Sequence, residues 1–343
     1  MKEILLGKSP SELKETVLRL GLPAFTAKQL ANWLYVRRTF DFGLMTDISK
    51  AGRELLEKEC DTGLVRPLRA FTSADGTRKY LFPVEGGAVE AVVIPEGDRR
   101  TLCVSSQAGC KMGCAFCASS KLGFGRSLTS GEMFAQVAVS QKIVGERIRS
   151  VVIMGIGEPF DNFDSVMGFV KLANDPDGLG LGARHITIST CGLVSMIDRF
   201  TDLDLQVNLS ISLHAPNDGI RQSLMPVAKR YSLKELMASC RRYTAKTNRR
   251  LTFEYTLFGG VNDGDDQAEE LVRLLGKGLW HVNLIAANDV PGSPFKSPSK
   301  QRVRRFQEIL ESGGINATLR REMGTDIMAA CGQLRRGMES KDQ

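Results

Sequence analysis

The spacing of apolar residues along the chain changes period twice, and each change predicts a different kind of element. Up to about residue 75 the apolar positions recur at helical intervals. Ser9-Pro10-Ser11-Glu12 has the spacing of a capping box with proline at the first helical position, and Thr26-Ala27-Lys28-Gln29 repeats the capping pattern before ANWLYVRR. In that second helix Leu30, Trp33 and Leu34 share one face, while Lys28, Arg37 and Arg38 remain for water. A third helix is predicted from Asp47 to about Cys60. Around residues 79–95 the period shortens to that of strands, with two apolar runs either side of Gly86-Gly87 that predict a hairpin. Glu90 falls inside the second run, and a lone glutamate in a strand most often faces solvent.

From Thr101 onward, strand-like runs alternate with helical ones. The predicted strands are Thr101–Ser105, Val151–Met154, Ile186–Ser189, Val207–Leu213, Leu251–Leu257 and Val282–Ile285. Thr129-Ser130-Gly131-Glu132 and Ser232-Leu233-Lys234-Glu235 open two of the intervening helices. Six strand-helix repeats predict an α/β fold with a parallel sheet, a partial (β/α)6 barrel. The chain thus divides into a helical segment over 1–75, a hairpin extension over 76–100, the barrel over 101–330 and a tail over 331–343.

Composition narrows the class. With 42% hydrophobic and 25% charged residues, the chain reads as a soluble globular protein. The opening MKEILLGKSPSELKE has no apolar run long enough for a signal peptide, and no stretch approaches the roughly 18 apolar residues of a membrane span. A cytoplasmic location without a membrane partner is the expectation. A net charge of +7 favours an anionic partner, and the basic edge of the helical segment suits nucleic-acid phosphates as well as it suits plain packing.

The chemistry centres on Cys110-Lys-Met-Gly-Cys114-Ala-Phe-Cys117, three thiols that one loop can aim at a common point. Three thiolates can ligate three irons of a 4Fe-4S cubane and leave the fourth iron open, and an open position separates a catalytic metal site from a structural one. A structural zinc would want a fourth ligand at pairing distance, yet the chain has no second Cys-x-x-Cys and no His pair. A disulfide within so short a loop would be strained. Small or polar residues stand at other predicted strand ends: Gly155-Ile156-Gly157-Glu158-Pro159, Ser189-Thr190-Cys191-Gly192, Ser212-Leu213-His214 and Asn288. In a barrel, catalytic groups gather at the carboxyl ends of the strands.

Cys-x-x-x-Cys-x-aromatic-Cys resembles the signature of the radical S-adenosylmethionine (SAM) enzymes. The strings TLCVSSQAGC, MGIGEP, SISLHAPND, NLI-x-x-N and GTDIMAACGQLR, in this order, resemble the RlmN/Cfr family of radical SAM RNA methyltransferases over nearly the whole chain. The helical segment, through AKQLANWLY, resembles that family's accessory RNA-binding domain. The resemblance implies that Cys110, Cys114 and Cys117 hold the 4Fe-4S cluster. It implies that Gly157, Glu158, Ser189, Ser212, Leu213, His214 and Asn288 contact SAM. It makes Cys331 the residue that becomes S-methylated, Cys103 its disulfide partner and Glu90 the proton acceptor. Cys60, Cys191 and Cys240 are left as structural. The chain departs from the usual family strings at Cys191, at Ala286 and Ala287, and at Met328.

The implied reaction answers a chemical problem, because carbon 2 of adenine is electron-poor and closed to ordinary polar methyl transfer. Two SAM molecules are used per turnover. One methylates Cys331; the second is cleaved by an electron from a donor such as flavodoxin, and the resulting radical takes hydrogen from the Cys331 methyl group. The methylene radical adds to adenine and, once an electron has left, Glu90 removes the ring proton. The Cys103 thiolate then attacks the Cys331 sulfur, which releases the product and leaves a disulfide. The implied substrate is an adenosine in the peptidyl-transferase centre of 23S rRNA, with a tRNA anticodon-loop adenosine as a second target. The Cfr branch methylates carbon 8 instead, and a reading from another class is a non-catalytic RNA-binding protein with a structural metal.

Overall fold

A computed structural model describes residues 2–121, 123–288 and 294–329. Cys331 and the tail 331–343 lie outside the described residues. One ten-stranded sheet organises the chain, and its strands lie side by side in sequence order. They are β1 (Arg69–Thr72), β2 (Arg78–Val84), β3 (Gly87–Glu96), β4 (Arg99–Cys103), β5 (Ser150–Ile153), β6 (Ile186–Thr190), β7 (Asn208–Ser212), β8 (Leu251–Leu257), β9 (Trp280–Ala286) and β10 (Ala317–Leu319). Pairing is antiparallel from β1 to β4 and parallel from β4 to β10. The six predicted barrel strands are all present, within two residues of their predicted bounds. The hairpin continues that sheet as antiparallel strands, and β10 adds a parallel strand the periodicity did not reveal.

Alternation along the parallel strands explains the shape. In β8 Leu251, Phe253, Tyr255 and Leu257 are buried, whereas Thr252, Glu254 and Thr256 point to the other face. β6 and β9 repeat this, with Ile186, Ile188, Trp280, Val282 and Leu284 buried and Thr187, Ser189, His281 and Asn283 opposite. Helices between the strands, such as Ser130–Val144, Phe163–Asn174 and Leu233–Thr247, cover the apolar face and form the main core with it. The polar face is left to line a hollow.

Local signals placed three of the helix starts well and two less so. Ser9, Thr129 and Ser232 each close a reciprocal capping box with the glutamate three residues on. Thr26 does not cap its helix: it is buried as the first helical residue, and Phe25 precedes it without a side-chain cap. The third helix runs over Lys50–Glu59, capped by Ser49, so it starts three residues later than predicted. Leu30, Trp33 and Leu34 are buried as expected, and exposed Arg37 lies over the Trp33 ring at 4.1 Å.

The helical segment is fused to the barrel rather than hung beside it. Tyr35 meets Phe134 edge to face at 5.2 Å, and its hydroxyl accepts from the Gly7 amide and donates to the Lys8 carbonyl. At Gly131 the backbone of the helix Ser130–Val144 runs so close to the N-terminal segment that a Cβ would stand 2.1 Å from the Leu6 carbonyl oxygen. A Gly131→Ala substitution should therefore destabilise the whole protein, by about 1–3 kcal/mol as overpacking does. Chemical denaturation checks this, and unchanged stability would mean that the segment yields without cost.

Candidate active site at the strand ends

The loop that carries Cys110, Cys114 and Cys117 leaves a short strand, Gln107–Gly109, that pairs antiparallel with Phe124–Ser127. This pairing closes the loop at its base, where the Cys110 amide donates to the Gly123 carbonyl. At the tip, the Ala115 amide donates to Leu224 at 2.9 Å, and Met112, Cys114 and Phe116 pack into a small apolar cluster with Leu224, Met225, Val227 and Phe258. Cys110, Cys114 and Cys117 are half-buried free thiols on the wall of one cavity of about 590 Å³.

The thiols meet an environment that favours neutrality until a cation arrives. Burial, then the neighbouring Cys117 and Glu158, push the Cys110 thiol up to about 12, and burial with the same repulsion raises Cys114. A bound cationic centre reverses that balance, since a coordinating thiol is deprotonated outright. Among the described residues no three His, Cys, Asp or Glu groups converge as they would on a single ion. A cubane asks for no such convergence, because each thiolate goes to its own iron. The donor set, three soft sulfurs on a cavity wall, fits that cluster.

The second strand end is tied to the first. Gln107 donates from its Nε2 to Asp161 at 2.8 Å and accepts at its Oε1 from the Glu158 amide at 2.9 Å. Gly157, at φ +109°, passes so close to Gln107 that no side chain fits there. Glu158 is buried; its carboxylate accepts from the Phe160 amide at 3.0 Å and from the Cys191 amide at 2.8 Å. Burial outweighs those bonds and raises its pKa. Cys191, read from sequence as merely structural, therefore holds a place on the cavity wall between Glu158 and the next strand ends.

His214 is buried at φ +57° and meets Phe116 of the cluster loop edge to face at 5.0 Å. Its Nδ1 accepts from the Thr256 amide at 2.9 Å, which places the ring proton on Nε2. Burial and the nearby Arg221 guanidinium pull its pKa down to about 3, so the ring is neutral at ordinary pH. Ser189, Ser212 and Asn288 also line the cavity. Leu213 does not: it is buried behind the wall, and its amide donates to Glu254 in β8 at 3.0 Å.

Sheet register sets the remaining candidates, Glu90 and Cys103, on the concave face of the sheet, although neither stands on the wall of that cavity. Cys103 pairs with Val92 in β3 and Val152 in β5, and Lys79 also pairs with Val92, so Lys79, Glu90 and Cys103 share the face that carries Thr187 and Asn208 farther along. Glu90 is not solvent-facing. It is 7% exposed and ion-paired with buried Lys79 at 3.0 Å, since the strand's polar face looks into the hollow and not to bulk water. Lys79 also reaches the Met328 carbonyl at 3.4 Å. The turn between β1 and β2 grips the same stretch: Ser73 and the Ala74 amide donate to Asp326, and the Gly324 amide donates to Asp75.

Sequence reasoning missed Lys79, and it missed Glu254, Arg320 and Arg221 as well. Glu254, buried on the concave face, accepts from Ser210 at 2.8 Å and Asn283 at 3.0 Å. Its one signal was the signal Glu90 gave, a lone acid in an apolar strand. Arg320 forms an ion pair with it at 3.8 Å and also lines the cavity. Fully buried Arg221 had no pattern that could have revealed it.

Comparison with known proteins agrees with this geometry. The Radical SAM superfamily model matches residues 104–275, and the model for the ribosomal RNA large subunit methyltransferase N-terminal domain matches residues 4–61. A probable dual-specificity RNA methyltransferase RlmN from Clostridium novyi is 46% identical over 98% of both chains. One of the same description from Thermoanaerobacter is 49% identical over 95% of both. The crystal structure of a radical SAM methyltransferase from Sphaerobacter thermophilus superposes with a TM-score of 0.93 at 45% identity, over 97% of this chain and 99% of that one. A cavity walled by three cysteines at the strand ends of an open α/β barrel, together with these full-length likenesses, establishes that the chain belongs to the RlmN family of radical SAM methyltransferases.

Proposed function

We propose that this protein methylates carbon 2 of an adenosine in the peptidyl-transferase centre of 23S rRNA, and an adenosine of the tRNA anticodon loop, through S-methylated Cys331. The observation that carries the reading is the path of the chain: Ala329, two residues before Cys331, stands in the wall of the cavity that the cluster cysteines line. A cluster held by Cys110, Cys114 and Cys117, with SAM, supplies one-electron cleavage to a carbon radical when bound. A donor such as flavodoxin brings the electron, and two SAM molecules serve each turnover.

The chain's own groups take the other parts. Gly157 keeps backbone open for close approach, Ser189, Ser212 and Asn288 offer polar contacts, and neutral His214 offers its Nε2–H to SAM. Glu90, held by its ion pair with Lys79 at 3.0 Å, is the carboxylate that accepts the adenine proton. The Cys103 thiolate attacks the Cys331 sulfur: an S–S bond forms, the bond from sulfur to the methylene carbon breaks, and its electron pair leaves with that carbon, which stays attached to carbon 2 of adenine and becomes methyl on protonation. The RNA phosphates meet the basic helical segment, where Lys28 and Arg37 are exposed.

Mass spectrometry of rRNA from cells that lack their own enzyme and express this chain should place a new methyl group on carbon 2 of one adenosine. A methyl group on carbon 8, or none, would overturn the assignment. Cys103→Ala should leave the enzyme stalled as a covalent conjugate, with nucleotide mass on the Cys331 peptide after nuclease digestion. Normal turnover by this variant, or an intact cluster without adduct, would remove Cys103 from its role.

A further inference from the structure

Arg221 lies on the helix Asp218–Leu224, which follows β7. Its side chain is 0% exposed, a rare condition for arginine. Nε donates to the Leu213 carbonyl at 3.3 Å, and Nη2 to the carbonyls of Cys191 at 2.7 Å and Ser212 at 3.4 Å. Nη1 is buried with no hydrogen-bond partner among the described residues. A guanidinium cannot shed its charge, and a buried donor left unmet on a charged group is destabilising, so a fold keeps one where something compensates.

The surroundings say what that is. Burial pulls the Arg221 pKa down, and Cys191 and Cys114 are the neighbours whose thiolates, once formed, oppose that most. The same helix also touches the cluster loop directly, through the Leu224 carbonyl and the apolar cluster around Cys114. Yet Arg221 is not part of the cavity wall, so it acts without touching SAM.

We propose that Arg221 is a positioning residue for the redox step: a fixed, desolvated cation whose unmet donor and charge offset the Cys114 thiolate and raise the reduction potential of the cluster. The proposal rests on the cluster reading of Cys110, Cys114 and Cys117. Reduction adds negative charge, and in a site of low dielectric a cation beside a ligand sulfur favours the reduced state; net charge and hydrogen bonds to sulfur are the levers that set such potentials. A lysine keeps the charge and loses the fork, whereas methionine loses both.

The test is a redox titration of the anaerobically reconstituted full-length protein, followed by electron paramagnetic resonance, in the absence of RNA and of turnover. In Arg221→Met the reduced-to-oxidised ratio at a fixed poise should fall about tenfold, which is about 59 mV for one electron. Arg221→Lys should stay near wild type. Arg221→Gln, which retains a donor for the Cys191 carbonyl, serves if the methionine variant does not fold, and should fall as that variant does. A wild-type potential in an uncharged variant that carries its full iron and sulfide overturns the proposal. So does a lysine variant that falls as far as the uncharged ones, because charge is then not the cause. Wild-type protein that holds no reducible cluster overturns the cluster assignment itself, and this proposal with it.

Discussion

A strand sends alternate side chains to opposite faces, and the site depends on that constraint more than on any single bond. The crossover helices demand an apolar face, so Leu251, Phe253, Tyr255 and Leu257 go outward beneath them. What remains for the concave face is Thr252, Glu254 and Thr256, with Ser189, Ser210, Ser212 and Asn283 on neighbouring strands. A parallel sheet covered on both faces would be apolar on both. This one is not, and its polar hollow is what lets the strand ends of β4 to β9 share a cavity. The antiparallel strands β1 to β3 extend the same face sideways, which carries Glu90 and Lys79 into register with Cys103.

Electrostatics within that hollow follow from burial. Burial pushes Glu158, Cys110 and Cys114 toward their neutral forms, and repulsion from neighbouring thiols and from Glu158 adds to this at the two cysteines. Backbone amides and one buried cation work against this: Glu158 takes two amides, and Arg221 holds three carbonyls while its charge acts on the sulfurs. His214 stays neutral beside that same cation, which leaves a defined Nε2 donor in place of a titrating group.

Much of this was legible from residues alone. The barrel strands could be read because each is short and apolar on one face, and because capping boxes at Thr129 and Ser232 mark two of the helices between them. The three cysteines could be read because their spacing has few other uses. The burial of Glu90 could not, since a strand pattern does not say whether its polar face meets water or an internal hollow; only the register through Cys103 decides that. Thr26 looked like a cap because its neighbours fit the pattern, but the preceding turn starts the helix one residue earlier and buries it. Arg221 escaped because its carbonyl partners come from two strand ends, Cys191 on one and Ser212 with Leu213 on the next, which sequence separates and the sheet brings together.

The claim that the cavity is a radical SAM centre is tested most directly by spectroscopy of anaerobically reconstituted protein. The wild type should bind iron and sulfide as one 4Fe-4S cluster whose reduced paramagnetic signal changes when SAM is added, since SAM reaches the open iron. Replacement of Cys110, Cys114 or Cys117 by alanine should abolish the cluster. Wild-type iron and sulfide in any of those variants, or a cluster signal indifferent to SAM, would contradict the account.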